Sequence, residues 1–144
     1  KRPQDLQGIT PRIKTGCGNM YITVNMDEQG PFEVFSLLGK AGGCSSCNLE
    51  AISRLVSLCL RSGVGVKEVI KDLKNISCPK QDFDRGRVIL SCADALGKVL
   101  EAVTDQYVEE RIKGSAGVCP ECGSTLDTTE KCPKCPSCGW TRCN

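Results

Sequence analysis

The chain has 144 residues, 19 basic and 17 acidic side chains for a net charge of +2, and only 4% aromatic residues. That length allows one domain, or one small domain plus a module. The near-neutral charge and the scarcity of stacking side chains argue against a dedicated nucleic-acid surface, and the lack of any apolar run of about 18 residues argues against a membrane span.

The opening KRPQDLQGIT is polar and carries no signal-peptide pattern. The chain begins with Lys1 rather than methionine, which fits a fragment or a processed form. Residues 1–11, punctuated by Pro3, Gly8 and Pro11, read as an arm without periodicity. From Arg12 the pattern alternates around Tyr21, Ile22, Val24 and Met26, turns at DEQGP and resumes in FEVFSLL. Residues 12–38 are therefore expected to form a β-hairpin, with room for a third short strand. Cys17 lies in TGCGN, where the glycines suggest a bulge or a close backbone approach.

The glycine-rich segment 39–47, GKAGGCSSC, leads into a helix. It resembles an anion-binding loop with Lys40 nearby, but the order of lysine and glycines is not that of a P-loop, and a tight strand-to-helix connection explains it as well. A helix is expected over 46–62, with Ile52, Leu55, Val56 and Cys59 as its buried face and Gly63 as its stop. A second helix, over 66–75, should bury Val66, Val69, Ile70 and Leu73. Residues 77–87 read as a polar loop. A short strand and a long helix follow, with Ser91 as N-cap, Asp94 as the acid of a capping box, and Leu96, Val99, Leu100, Val103 and Tyr107 as the buried stripe. KGSAGV, 113–118, reads as a linker. The fold class is α+β: a small antiparallel sheet packed with about three helices over 12–112, then a cysteine-rich zinc ribbon over 119–144.

The ribbon carries the chemistry. Half of the 12 cysteines lie in CPECGSTLDTTEKCPKCPSCGWTRC: Cys119, Cys122, Cys132, Cys135, Cys138 and Cys143. CPECG and CPSCG repeat one device, two thiols three residues apart with a glycine whose positive φ turns the preceding amides toward a thiolate. Two such knuckles make a tetrahedral thiolate cage, and with no histidine in the chain the ligands are sulfur or carboxylate. Zinc is the expected ion, although four thiolates also suit iron. A closed site takes four of the six thiols. Cys119, Cys122, Cys135 and Cys138 can bind, leaving Cys132 and Cys143 over. Alternatively Cys119, Cys122, Cys132 and Cys135 bind, leaving Cys138 and Cys143. Either leftover pair, close to the chain end, suits thiol–disulfide exchange.

Cys17, Cys44, Cys47, Cys78 and Cys92 fall at turns and helix starts. They can converge on one end of the sheet as a second thiolate cluster, and a helix N-terminus there would lower a thiol's pKa. Cys59, on a helix face, reads as core packing. The C-x-x-C pairs together with regular amphipathic helices favour the cytoplasm, with metal and redox uses for cysteine, over a secreted disulfide framework.

The segments KTGCGNMYITVN, FEVFSLLGKAGGC, EAISRLVSLCLRSG and ILSCADAL resemble the C-terminal region of adenosylcobalamin-dependent (class II) ribonucleotide reductases. That region carries the TSCPD domain. Here the five-letter motif reads LSCAD, residues 90–94, keeping Ser91, Cys92 and Asp94 and replacing the threonine and proline by Leu90 and Ala93. CPECG and CPSCGWTRC resemble the cysteine-rich tail of the same enzymes. The resemblance implies an accessory module: a tail thiol pair re-reduces the active-site disulfide of the catalytic part and is itself reduced by thioredoxin or glutaredoxin. The spacing of Cys138 and Cys143 resembles that shuttle pair, whereas the knuckle spacing gives Cys138 to zinc. Adenosylcobalamin and the radical barrel belong to the full-length enzyme, since about 100 residues of α+β domain cannot hold them.

Two other functions fit parts of the sequence. A zinc-ribbon adapter for nucleic acid or protein would use all the cysteines structurally. Its support is thin, because Lys113, Lys131, Lys134, Arg142 and Trp140 stand against Glu121, Asp127 and Glu130. An independent thiol oxidoreductase would use the C-S-S-C pair Cys44 and Cys47, which would have to be exposed at a helix start.

Overall fold

The computed structural model describes residues 1–39, 43–114, 117, 119, 121–127 and 132–141, with the backbone alone over 111–114. Lys40, most of the glycine-rich loop's turn, three residues of the expected linker, Lys131, Arg142 and Cys143 therefore lie outside the described residues. The chain divides into two compact units, Lys1–Thr104 and Asp105–Asn144.

The first unit is built on one long strand. β1 (Gln7–Ile9) and β2 (Arg12–Thr15) both pair antiparallel with the same side of β3 (Gly18–Asp27), and β4 (Gly30–Leu38) pairs with its other side. β1 lies in the segment that reads as an arm. It has no apolar alternation, and its place is set by backbone fit: a Cβ at Gly8 would lie 2.1 Å from Asn25 Oδ1 and 2.7 Å from Val24 O. Pro11 interrupts the path between β1 and β2, and its carbonyl still accepts from Ile22 N–H at 3.1 Å.

Along β3 the alternation sends Met20, Ile22 and Val24 fully inward. Ile13, Val34 and Leu38 extend this face across the sheet. Three helices cover the core: α1 (Cys44–Arg61), α2 (Val66–Leu73) and the start of α3 (Cys92–Gly114). α2 buries Val69 and Ile70 with Val66 and Leu73 half-buried beside them, and α3 buries Leu96, Val99, Leu100 and Val103 as its periodicity predicts, while Tyr107 of the expected stripe is only half-buried. Among the described residues, no helix is long and apolar enough to cross a membrane.

α1 differs from the sequence reading. Its buried residues are Leu49, Ser53, Val56 and Ser57, while Leu55 is 62% exposed. The cause is polar. Val34 N–H donates to Ser57 Oγ at 2.9 Å, and Ser57 Oγ lies 3.1 Å from Val34 O and 2.8 Å from Ser53 O. Ser53 and Ser36 hydroxyls meet at 2.6 Å. The serines close the otherwise open edge of β4, and small side chains let the helix come near enough to do so.

Residues 77–87 are not a plain loop. β5 (Asp82–Asp84) and β6 (Arg87–Ile89) form a hairpin whose two-residue turn, Arg85 and Gly86, has φ of 50° and 78°. It docks on β2 through Lys14 N–H to Asp84 Oδ1 at 3.1 Å and Lys14 Nζ to Asp82 at 3.2 Å. Behind it, Asp94 N–H donates to Ser91 Oγ at 3.0 Å, the N-cap bond expected. The fully buried Asp94 carboxylate accepts from Leu90 N–H and Asn75 N–H at 3.0 and 2.9 Å and pairs with Lys98 at 2.6 Å. It thus ties three segments together around the start of α3.

Candidate metal centre

In the second unit the two cysteine knuckles have the same backbone geometry. Gly123 N–H donates to Cys119 O at 3.0 Å, and Gly139 N–H donates to Cys135 O at 3.0 Å. Cys119 N–H donates to Ser124 O and Cys135 N–H to Trp140 O, both at 2.7 Å. Gly123 and Gly139 have φ of 73° and 76°, the left-handed conformation that the knuckle pattern requires. Between the knuckles, Asp127 and Lys134 exchange backbone hydrogen bonds at 2.8 and 3.1 Å, and Lys134 also bridges to Thr141. Leu126 is buried against Cys119 and Cys135, with Trp140 partly covering the same cluster. Trp140 is thus packed against the knuckles, as a lid would be.

The four knuckle sulfurs, of Cys119, Cys122, Cys135 and Cys138, all lie within 4.8 Å of one another. The buried Sγ of Cys119 is 3.6 Å from the exposed Cys138, and the buried Sγ of Cys135 is 3.5 Å from the exposed Cys122. Each knuckle thus reaches across to the other. Tetrahedral bonds of about 2.3 Å place zinc-bound sulfurs about 3.8 Å apart, so the donor type and the spacing both fit that ion. Ser124, through its hydroxyl and then its backbone N–H, lowers the Cys122 thiol to about 6. Cys138 is pushed up to about 12: the Trp140 N–H favours its thiolate, but burial and the three neighbouring thiols outweigh it. Four sulfurs this close cannot all ionise without a cation among them. Ser124 has no part in the sequence reading, yet Ser124 and Trp140 hold the same position, two past the second cysteine of each knuckle.

Cys132 stands outside this group and is disulfide-bonded. Cys143 lies outside the described residues. In the first unit, Cys59 packs against the core, and Cys44 and Cys47 are exposed in the first turn of α1, where Cys47 Sγ donates to Cys44 O at 3.3 Å. Cys17, Cys78 and Cys92 come together around Thr15, apart from Cys44 and Cys47.

A family model, the TSCPD domain, matches residues 1–104. The match ends before the knuckles. No curated protein and no solved structure matches the chain.

Proposed function

The chain belongs to the TSCPD domain family, and from that premise we propose that it is the accessory C-terminal module of an adenosylcobalamin-dependent ribonucleotide reductase, holding zinc in its tail and passing reducing equivalents to the catalytic part. The observation that carries this reading is the gathering of four tail sulfurs within 4.8 Å, which leaves Cys132 outside the group. In this reading Cys119, Cys122, Cys135 and Cys138 hold zinc, and Cys132 and Cys143 are the redox pair. The alternative pair, Cys138 and Cys143, would have to take one sulfur out of the group of four.

The step balances within the tail. Two tail thiols give up two protons and two electrons and form one disulfide, while the disulfide of the catalytic part is reduced to two thiols. A thioredoxin or glutaredoxin dithiol then restores the tail by exchange, one mixed disulfide at a time. Zinc in this scheme does no redox chemistry. It fixes the fold of a segment too poor in apolar residues to fold by burial alone. Adenosylcobalamin is assigned to the catalytic part, and the cytoplasm, where thioredoxin works, is the compartment.

The test is stoichiometric reduction by thioredoxin. The oxidised chain should consume one thioredoxin dithiol, and Cys132→Ser and Cys143→Ser should each consume none. Undiminished consumption by both variants would refute the assignment. No consumption by the wild-type chain would favour a zinc-ribbon adapter with structural cysteines.

A further inference from the structure

Three cysteines of the first unit, far apart in sequence, meet at one end of the sheet. Thr15, 2% exposed, is the hub. Its hydroxyl donates to Gly18 O at 2.9 Å, accepts from Cys17 N–H at 3.3 Å and receives the Cys92 thiol at 3.7 Å. The β2–β3 turn presses on the 78–80 segment so closely that a Cβ at Gly16 would lie 2.0 Å from Lys80 O. Cys78 N–H donates to Leu90 O at 2.9 Å, two residues before Cys92, and Ser91 Oγ donates to Ile76 O at 2.6 Å, two residues before Cys78. All three cysteines are partly exposed, so they are shielded by protein yet within reach of solutes. Burial pushes the Cys92 thiol up, the Thr15 hydroxyl works against this, and Cys17 and Cys78 add to the rise as neighbouring thiols.

We infer that Cys17, Cys78 and Cys92 form a second metal site, which takes a thiophilic divalent ion of the zinc class on three thiolates and leaves the fourth position open to solvent. Packing alone does not account for the arrangement. Cys17 and Cys92 pack against the core as Cys59 does, but unlike Cys59 they lie where a turn, a loop and a helix start are tied together by hydrogen bonds on both sides of the cysteines. Three thiols brought to one place from separate segments are the donor set that a thiophilic cation prefers. Three protein ligands with one open place is the arrangement of zinc sites that exchange a ligand, in contrast to the closed group of four in the tail. The three sulfurs are spread more widely than the tail sulfurs. Binding therefore draws them together, and Cys78, whose thiol donates to Lys80 O at 3.4 Å, reaches the others by rotating its side chain while its backbone stays in place. The inference does not depend on the redox role of the tail.

The test is zinc stoichiometry of the full chain under reducing conditions, by native mass spectrometry. Two zinc ions per chain are expected. Cys78→Ser and Cys92→Ala should each fall to one, and Cys122→Ser should lose the other ion while keeping this one. Zinc should also slow alkylation of Cys17, Cys78 and Cys92 in the unsubstituted protein at least tenfold, a readout independent of how the variants fold. One zinc per chain in the unsubstituted protein, with alkylation of these three thiols unchanged by zinc, would overturn the inference.

Discussion

Ser57 holds both backbone polar groups of Val34, with the N–H at 2.9 Å and the carbonyl at 3.1 Å from its hydroxyl oxygen. Both residues are buried, so losing the hydroxyl leaves the two groups without their protein partner. Ser57→Ala should therefore destabilise the first unit by about 1–3 kcal/mol, the cost of leaving a buried donor and acceptor unpaired. A denaturant titration should show a lower midpoint with an unchanged slope.

Glu33 gives the fold an acid limit. Its carboxylate, 5% exposed, pairs with Arg2 at 2.8 Å. The Arg2 hydrogen bond lowers its pKa, burial opposes this, and the Asn25 amide adds to the lowering. Because the folded value is depressed, the contribution is complete above the unfolded value of about 4.3 and is lost as pH falls through the folded value. Thermal midpoints measured from pH 6 downward should fall more steeply below about pH 4.3 in the unsubstituted chain than in Glu33→Gln. Equal slopes would show that Glu33 is not a source of the acid sensitivity.

Gly16 has no room for a side chain. Its Cβ would lie 2.0 Å from a backbone oxygen, that of Lys80, which cannot rotate away. Gly16→Ala should cost about 1–3 kcal/mol through forced backbone movement. Gly123→Ala is a different case: nothing lies within 4 Å, but φ is 73°, so the strain there is in the backbone itself.

Ser124 should govern how tightly the tail holds its ion. It supplies a hydroxyl and a backbone hydrogen bond to Cys122. Ser124→Ala keeps all four sulfurs and removes the hydroxyl, which should weaken zinc binding by about 10–100-fold in competition with a chelator. An unchanged affinity would mean that the backbone N–H alone orients Cys122.

Much of this was legible in the sequence, and the exceptions have physical causes. Met20, Ile22 and Val24 announce a strand by alternation, and Leu96, Val99, Leu100 and Val103 announce a helix by their spacing, because burial there follows hydrophobicity. The knuckles are legible because Gly123 and Gly139 are demanded by a local turn. The face of α1 is not, because Ser53 and Ser57 are buried by hydrogen bonds to β4, which lies outside the helix's own pattern. The 82–89 hairpin is hidden by its turn, since Arg85 takes a positive φ where asparagine, aspartate or glycine would have signalled it. That cysteines at turns and helix starts can converge was legible, but which of the five meet was not: Cys17, Cys78 and Cys92 come together through Thr15 and Gly16 contacts that no local pattern encodes, and Cys44 and Cys47 stay exposed in the first turn of α1.

On the proposed reading, one tail holds a metal with four sulfurs and carries a separate redox pair. The most direct measurement is native mass spectrometry of the chain before and after thioredoxin, reading metal and disulfide state on the same ion. A gain of two hydrogens with zinc retained is expected, and no gain in Cys143→Ser. Zinc released on reduction, or no reducible disulfide after oxidation, would contradict it.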